Sequence, residues 1–194
     1  MKVFKDKERG LDWVSFEKAK EEKCKEAVVE INAWSGTPNI DRFIVDGMPC
    51  GDFLTRLYAN SNPAFMDMVG VKQPENVEDF LYFLYAEENP NEVAGITYLN
   101  NKKIEDELAV EYLVINPKLQ GKGIGTRFIQ SLKDNMKTLS KRDSNKVLTT
   151  IVDKENKPSI KLFSKICKPV ESREIIGNTG KFWYFSSREM GKEN

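Results

Sequence analysis

The sequence contains no histidine. Histidine is the usual general base near neutral pH and a common metal ligand, so its absence excludes a histidine-based catalytic triad and a histidine-rich zinc site. Cysteine is also scarce, and Cys24, Cys50 and Cys167 are too widely spaced to form a metal-binding or redox pair. We therefore expect reduced thiols, as in a cytoplasmic protein.

Neither sign of charge is in excess, because Lys+Arg and Asp+Glu each number 30. Nucleic acids and anionic membranes attract proteins with surplus positive charge, so we expect neither as a partner, although a local basic patch is compatible with this balance. No stretch approaches the roughly 18 apolar residues of a membrane span. The charged start, residues 1–6, is not typical of a signal peptide.

The chain has 194 residues, of which 40% are hydrophobic, and this size and composition are typical of one domain. Residues 1–76 are predicted to form a helical N-terminal part, with helices over 14–34 and near 53–58. Residues 77–188 mix strands and helices and are predicted to form the core of an α/β domain.

Within that core, short apolar runs bounded by turn residues predict strands, and apolar residues three and four apart predict helices. The predicted order is strands at 80–85, 93–99 and 108–115, a helix at 124–139, a strand at 147–152, a helix at 159–166, and a hairpin of 170–176 with 181–188.

A glycine-rich turn joins the strand that ends at Ile115 to the helix over 124–139, and it reads Gln120-Gly121-Lys122-Gly123-Ile124-Gly125-Thr126. Glycines without a Cβ let an anion approach the backbone, and the first turn of a helix has N–H groups without internal partners. Together with the helix dipole these features predict a phosphate-binding turn. Lys122 and Arg127 are candidates to add positive charge at its rim.

Two common nucleotide motifs do not match this turn. A P-loop requires Lys followed by Ser or Thr after its glycines, and a dinucleotide-binding turn requires the spacing Gly-x-Gly-x-x-Gly. Here the glycines are spaced Gly-x-Gly-x-Gly. An ATP- or NAD-binding function is therefore poorly supported.

The pattern Gln-x-x-Gly-x-Gly, at 120–125, resembles the coenzyme A loop of the GNAT superfamily of N-acetyltransferases. A second motif of that family, Asn-x-x-(Ala/Ser)-x-x-Leu-(Tyr)-x-Lys, is matched by residues 156–165. The resemblance covers 77–188 and implies a mixed central sheet of about six or seven strands flanked by helices.

The resemblance implies acetyl-coenzyme A as co-substrate, with the diphosphate on the glycine loop and the pantetheine arm beside the preceding strand. The implied cofactor-binding residues are Leu113, Val114, Ile115, Gln120, Gly121, Lys122, Gly123, Ile124, Gly125, Thr126, Asn156 and Phe163. Many family members have a tyrosine, the general acid, where this chain has Phe163. Ser159, Ser164 and Tyr184 are candidate substitutes.

An alkyl ammonium, with a pKa of about 10.4, must lose a proton before it attacks a thioester, and a carboxylate can accept that proton. The candidate bases are Glu111 and Glu107. On a regular strand both would share one face with residues 109, 113 and 115, about 13 Å apart, unless a bulge shifts the facing. We favour Glu111 because it lies within an apolar run, although a solvent-facing glutamate would fit there too.

The function that follows is acetyl transfer to a small-molecule or peptide amine by direct attack in a ternary complex, without a metal. The alternative is a non-catalytic acyl-CoA-binding or regulatory module on the same fold. A homodimer is compatible with the resemblance. Six aromatic residues either line an acceptor pocket or pack within the sheet: Tyr82, Phe83, Tyr85, Tyr98, Trp183 and Tyr184.

Overall fold

The computed structural model describes residues 3–15, 30, 33–34, 77–102, 107–139, 147–170 and 182–187. Their strands form one eight-stranded sheet in the order β1-β2-β3-β4-β5-β6-β8-β7. The strands are β1 (Val3–Asp6), β2 (Leu11–Ser15), β3 (Val77–Ala86), β4 (Asn89–Lys102), β5 (Glu107–Ile115), β6 (Val147–Asp153), β7 (Lys168–Val170) and β8 (Phe182–Ser186). The helices are α1 (Ile124–Asp134), α2 (Met136–Leu139) and α3 (Lys157–Phe163).

The first two strands correct the prediction of a helical N-terminal part. Residues 3–15 form an antiparallel hairpin, so the predicted helix does not begin at Val14. Leu11 and Trp13 alternate with the half-buried Asp12, a strand pattern that continues the sheet against β3. Glu30 is helical, in agreement with the prediction, and the predicted helix near 53–58 lies outside the described residues.

The other predicted strands are present. β2 to β5 pair antiparallel in chain order, β5 pairs parallel with β6, and β8 lies antiparallel between β6 and β7. In the predicted final hairpin, the antiparallel pairing is confirmed for β7 with β8, but β7 begins earlier than expected and residues 171–176 of the predicted strand lie outside the described residues. The α/β class is confirmed, with one strand pair more at the N-terminal edge than the sequence indicated.

Strand β5 is not regular. Tyr98 on β4 lies opposite Tyr112 and Leu99 lies opposite Val110, so Glu111 is the extra residue of a β-bulge. Before the bulge Val110 belongs to the hydrophobic core, and after it Ile115 packs against that core. The prediction that odd-numbered residues from 107 to 115 share one face is therefore wrong beyond the bulge.

The same strand separates from its parallel neighbour. The β5–β6 ladder runs from Glu107 opposite Val147 to Val110 opposite Thr150 and then stops. At that point the Thr150 hydroxyl donates to the Val110 carbonyl oxygen, 2.8 Å away. Beyond it residues 111–115 and the end of β6 no longer pair, and we call the space between these two unpaired segments the cleft.

Helix α1 covers one face of the sheet, as its apolar periodicity predicted. The Trp13 ring stacks on Phe128 with a centroid distance of 4.6 Å, and its indole N–H donates to the Ser131 hydroxyl at 3.0 Å. The predicted helix over 124–139 is present but interrupted at Asn135, after which α2 begins. No helix in the described part of the chain is long and apolar enough to cross a membrane.

Candidate active site

Asn116 fixes the start of the glycine loop. Its side chain is only 1% exposed, and its Nδ2 donates to the Val93 carbonyl oxygen at 3.0 Å. Its Oδ1 accepts from the Lys118 N–H, also at 3.0 Å, which shapes a short 3₁₀ turn over Pro117–Leu119. The loop therefore leaves β5 in a direction that is set by contacts with β4.

Two of the loop glycines adopt a conformation that other residues rarely adopt. Gly121 has φ 76° and Gly123 has φ 84°, both in the left-handed region. A Cβ built on either residue meets no atom within 4 Å. The need for glycine here thus comes from the backbone conformation, and the space beside the loop is open to a ligand.

Gly125 has a different role. A Cβ at this position would meet the Leu162 side chain of α3 at 3.4 Å and Ile115 at 3.7 Å. These are ordinary contact distances, so a Cβ would be accommodated, and Gly125 marks the place where α1 approaches α3 at the end of β5.

The loop and the first turn of α1 leave a set of main-chain donors unused. The Lys122 N–H donates to the Leu119 carbonyl oxygen at 3.4 Å, and the next amide to bond back is that of Arg127, which donates to the Gly123 carbonyl oxygen at 3.0 Å. Within the described part of the chain, no protein acceptor is bonded to the N–H groups of Gly121, Gly123, Ile124, Gly125 and Thr126. Such donors at a helix N-terminus suit a diphosphate in geometry and in sign of charge.

The cations around the loop are not equivalent. Arg127 was expected to add positive charge at the rim of the loop. Instead its guanidinium bonds to the Glu88 carboxylate and donates to the Arg9 carbonyl oxygen at 3.2 Å. That bond from Arg127 holds the pKa of Glu88 below its ordinary value. Lys122 is exposed on the loop itself and has no carboxylate partner among the described residues.

Gln120, the first residue of the motif, stabilises the loop by a hydrogen bond to the end of β5. Its Nε2 donates to the Ile115 carbonyl oxygen at 3.1 Å, across the turn. Leu113 and Ile115 pack against the core, whereas Val114, on the opposite face, is also buried at 7% exposure. A ligand in the cleft would thus meet the main chain of this segment, and that contact remains a prediction.

Asn156 and Phe163 lie at the two ends of α3. The Asn156 Oδ1 accepts from the Ser159 N–H at 3.2 Å, so this residue caps the helix, and its Nδ2 remains available as a donor. Phe163 is 4% exposed and packs against Phe185 with ring centroids 6.2 Å apart. Its ring belongs to the core, and contact with a cofactor stays a prediction.

The two candidate bases occupy different surroundings. Glu111 is exposed in the bulge, where the cleft begins. Glu107 is half-buried at the closed end of β5 and accepts a hydrogen bond from the Tyr184 hydroxyl at 3.1 Å. The sequence named Tyr184 as a possible acid and as one of the six aromatic candidates for the acceptor pocket. Its pairing with Glu107 across β6 depends on the strand order, which the sequence does not reveal.

Some of the aromatic residues pack within the sheet, and others are candidates to line an acceptor pocket. Tyr82 is a packing residue, since its ring lies in the core and its hydroxyl donates to the Leu139 carbonyl oxygen at 3.1 Å. Tyr98 and Tyr112 pair on the opposite face of the sheet, with ring centroids 6.2 Å apart. Ile151, on β6 beside the cleft, is 50% exposed. This face is therefore the better candidate for an acceptor surface.

One residue near the loop was given no role by the sequence. The Lys165 ammonium donates to the Thr126 hydroxyl at 2.8 Å. The only signal was its position as the final lysine of the second motif, and a motif position does not show which atom the side chain reaches.

Comparison with known proteins agrees with this geometry. Residues 53–168 match the sequence model of the acetyltransferase (GNAT) family. The chain therefore belongs to that family, and it is an N-acetyltransferase enzyme by class. No curated protein matches it in sequence.

Several solved structures share the fold. Spermidine N-acetyltransferase from Vibrio cholerae, in complex with CoA and spermine, is similar with a TM-score of 0.61 at 16% identity, covering 91% of this chain and 94% of that one. An acetyltransferase from Agrobacterium tumefaciens gives a TM-score of 0.59 at 11% identity, covering 97% and 95%. A dodecameric Vibrio cholerae spermidine N-acetyltransferase gives 0.53 at 16% identity, covering 91% and 92%.

Proposed function

We propose that this acetyltransferase takes its acetyl group from acetyl-coenzyme A and transfers it to a small alkyl amine. The observation that carries the proposal is the set of amides at Gly121 and at 123–126, at the N-terminus of α1, that bond to no acceptor among the described residues. These donors would hold the diphosphate, with Lys122 adding charge from the rim. Preformed donors of this kind bind an anion without reorganising.

The cleft between β5 and β6 supports the position of the pantetheine arm. It begins where the ladder stops at Val110 and leads to the loop at Asn116. An extended arm along residues 113–115 would meet main-chain groups on the side that β6 has left. Bound acetyl-coenzyme A supplies an activated acyl group, and its thioester would lie near the bulge.

Glu111 is the residue we propose as the base. It lies at the bulge, and its exposure lets an incoming amine or a bridging water reach the carboxylate. A carboxylate there would accept the ammonium proton that must leave before attack. Glu107 is the less suitable candidate because it lies at the closed end of the strand, where β5 still pairs with β6.

The general acid is not Phe163, whose side chain has no proton to donate. Tyr184 is a phenol on the acceptor face, but its hydroxyl is bonded to Glu107, four residues along β5 from the bulge. We therefore propose that water protonates the departing thiolate, at a site open enough to admit it.

Direct transfer, without an acyl-enzyme, is supported by the state of Cys167. This thiol is 3% exposed, and burial raises its pKa to about 11. A buried thiol that stays protonated at neutral pH is a poor nucleophile. Cys24 and Cys50 lie outside the described residues.

The acceptor that we propose is a di- or polyamine or a similar alkyl amine. Exposed Ile151 and the half-buried Tyr112, which packs on the buried Tyr98, offer apolar and aromatic contacts for methylene groups, and aromatic faces attract ammonium groups. The fold neighbour described with CoA and spermine makes polyamines the first class to test.

We also propose a cytoplasmic location for this protein. We propose in addition that it self-associates, and sedimentation velocity would measure its oligomeric state.

The test is release of free thiol from acetyl-coenzyme A with a panel of amines, with the acetylated product identified by mass. We expect turnover with at least one alkyl amine, and binding of coenzyme A by calorimetry. Binding without turnover across all amine classes would favour the non-catalytic alternative. Stabilisation by ATP or NAD, with none by coenzyme A, would refute the proposal.

A further inference from the structure

Lys165 lies in the turn after α3, far from the glycine loop in sequence but next to it in space. Its Nζ donates to the Thr126 Oγ1 at 2.8 Å, and Thr126 belongs to the first turn of α1, whose amide is among the unused donors. The lysine ammonium therefore lies at the mouth of the anion-binding turn.

This proximity depends on how closely α1 and α3 approach. The Leu162 side chain packs over Gly125, where a Cβ would meet it at 3.4 Å. The Lys165 N–H donates to the Leu162 carbonyl oxygen at 3.3 Å, which places the lysine one turn beyond that contact. Contact between Gly125 and Leu162 thus brings Lys165 within reach of Thr126.

Lys165 has an exposed side chain, and no carboxylate pairs with it among the described residues. Lys122 on the loop is alike in this respect. Two other cations near the loop differ, since Lys118 lies 3.7 Å from the Glu92 carboxylate and Arg127 bonds to Glu88. A neutral hydroxyl accepts a hydrogen bond from the ammonium but leaves its charge available to a ligand.

We infer that Lys165 and Thr126 form a polar clamp on the diphosphate of the acyl donor, with the ammonium contacting a phosphate oxygen. The Thr126 hydroxyl accepts from Lys165 and still has its own proton to donate to the same anion. An ammonium is a compact charge with several donors, which suits a phosphate. This inference rests on the proposed acetyl-coenzyme A site and adds a cation to the amides that define it.

The test is calorimetric binding of three probes, coenzyme A, 3′-dephospho-coenzyme A and pantetheine, so that no acceptor is required. Lys165→Gln is expected to weaken coenzyme A binding about tenfold, the range of an exposed charge-assisted hydrogen bond. The same loss is expected with 3′-dephospho-coenzyme A, and no loss with pantetheine, which has no diphosphate.

Lys161→Gln is the matched control, because it removes an exposed lysine of α3, four residues before Lys165. We expect it to change coenzyme A binding by less than about twofold. Lys165→Arg keeps the charge and should retain most of the affinity, which also guards against a misfolded Lys165→Gln.

Three outcomes would overturn the inference. They are equal effects of Lys165→Gln and Lys161→Gln, an effect that disappears with 3′-dephospho-coenzyme A, and a loss in Lys165→Arg as large as in Lys165→Gln. If the unaltered protein bound no coenzyme A, the proposed function itself would fail, and this result is distinct from the other three.

Discussion

The two sides of helix α1 differ in how their polar groups are used. On the side of the β1–β2 hairpin, charged groups are paired: Arg9 bonds to Asp6 and Asp134, and Arg127 bonds to Glu88. On the side of the cleft, the amides of Gly121 and of 123–126 and the ammonium groups of Lys122 and Lys165 have no acidic partner within the part of the chain that the structure describes.

This difference separates stability from ligand binding. Groups that satisfy one another within the protein contribute to folding, whereas unsatisfied donors remain available to a ligand. Substitutions on the hairpin side should therefore change the free energy of unfolding with little effect on coenzyme A binding. Substitutions on the cleft side should do the reverse.

The largest effect is expected on the cleft side for Glu111→Gln. Loss of the proposed base should lower turnover about a hundredfold to a thousandfold, while coenzyme A binding is unchanged. Thiol release at several pH values and calorimetry measure the two quantities. Glu107→Gln is the matched control, and a larger loss of turnover in that variant would make Glu107 the base.

Gly123→Asp should weaken coenzyme A binding about tenfold to a hundredfold. A carboxylate there repels the diphosphate, and the φ of 84° strains a residue that has a side chain. Gly123→Ala separates the two causes because it carries the strain without the charge. If the two variants bound coenzyme A equally, charge repulsion would play no part.

On the hairpin side, Asp6→Asn should cost about 1–3 kcal/mol of unfolding free energy. Burial opposes ionisation of Asp6, but hydrogen bonds from Ser131 and Arg9, with the charge of Arg9, outweigh it and lower its pKa below 3.8. Stability from the ionised carboxylate is therefore fully present above pH 3.8 and is lost as the pH falls through the lower, folded-state pKa.

Chemical denaturation of the unaltered protein and of Asp6→Asn, at pH 7 and at lower pH, measures this contribution of the Asp6 carboxylate to stability. The stability gap between them should narrow below pH 3.8. A gap that did not change with pH would mean that ionisation of Asp6 does not stabilise the fold. A change in coenzyme A binding by Asp6→Asn would contradict the separation of the two sides.

The smallest effect is expected for Phe163→Tyr, which tests whether this ring belongs to the core or reaches the cleft. The substitution puts a hydroxyl into the core beside Phe185, and we expect the unfolding free energy to fall by about 1 kcal/mol with no gain in turnover. Thermal denaturation and the thiol assay measure both quantities. Faster turnover would show that the ring edge reaches the cleft and that a tyrosine there restores a general acid.

Much of the site could be predicted from local pattern. The glycine spacing after Gln120 and the apolar period of 124–139 both reflect interactions between residues near in sequence, and the structure confirms a loop that leads into α1. The N-terminal hairpin was missed because the strand character of Leu11–Ser15 depends on its pairing with β3 and its packing on α1.

The sequence by itself determined the glycine turn that we propose as the phosphate site, because the backbone conformation of Gly121 and Gly123 and the free amides of a helix N-terminus are local properties. Tertiary structure alone decided which groups surround that turn. The bulge at Glu111, the end of the β5–β6 ladder at Val110 and the reach of Lys165 to Thr126 all arise from contacts between segments distant in the chain.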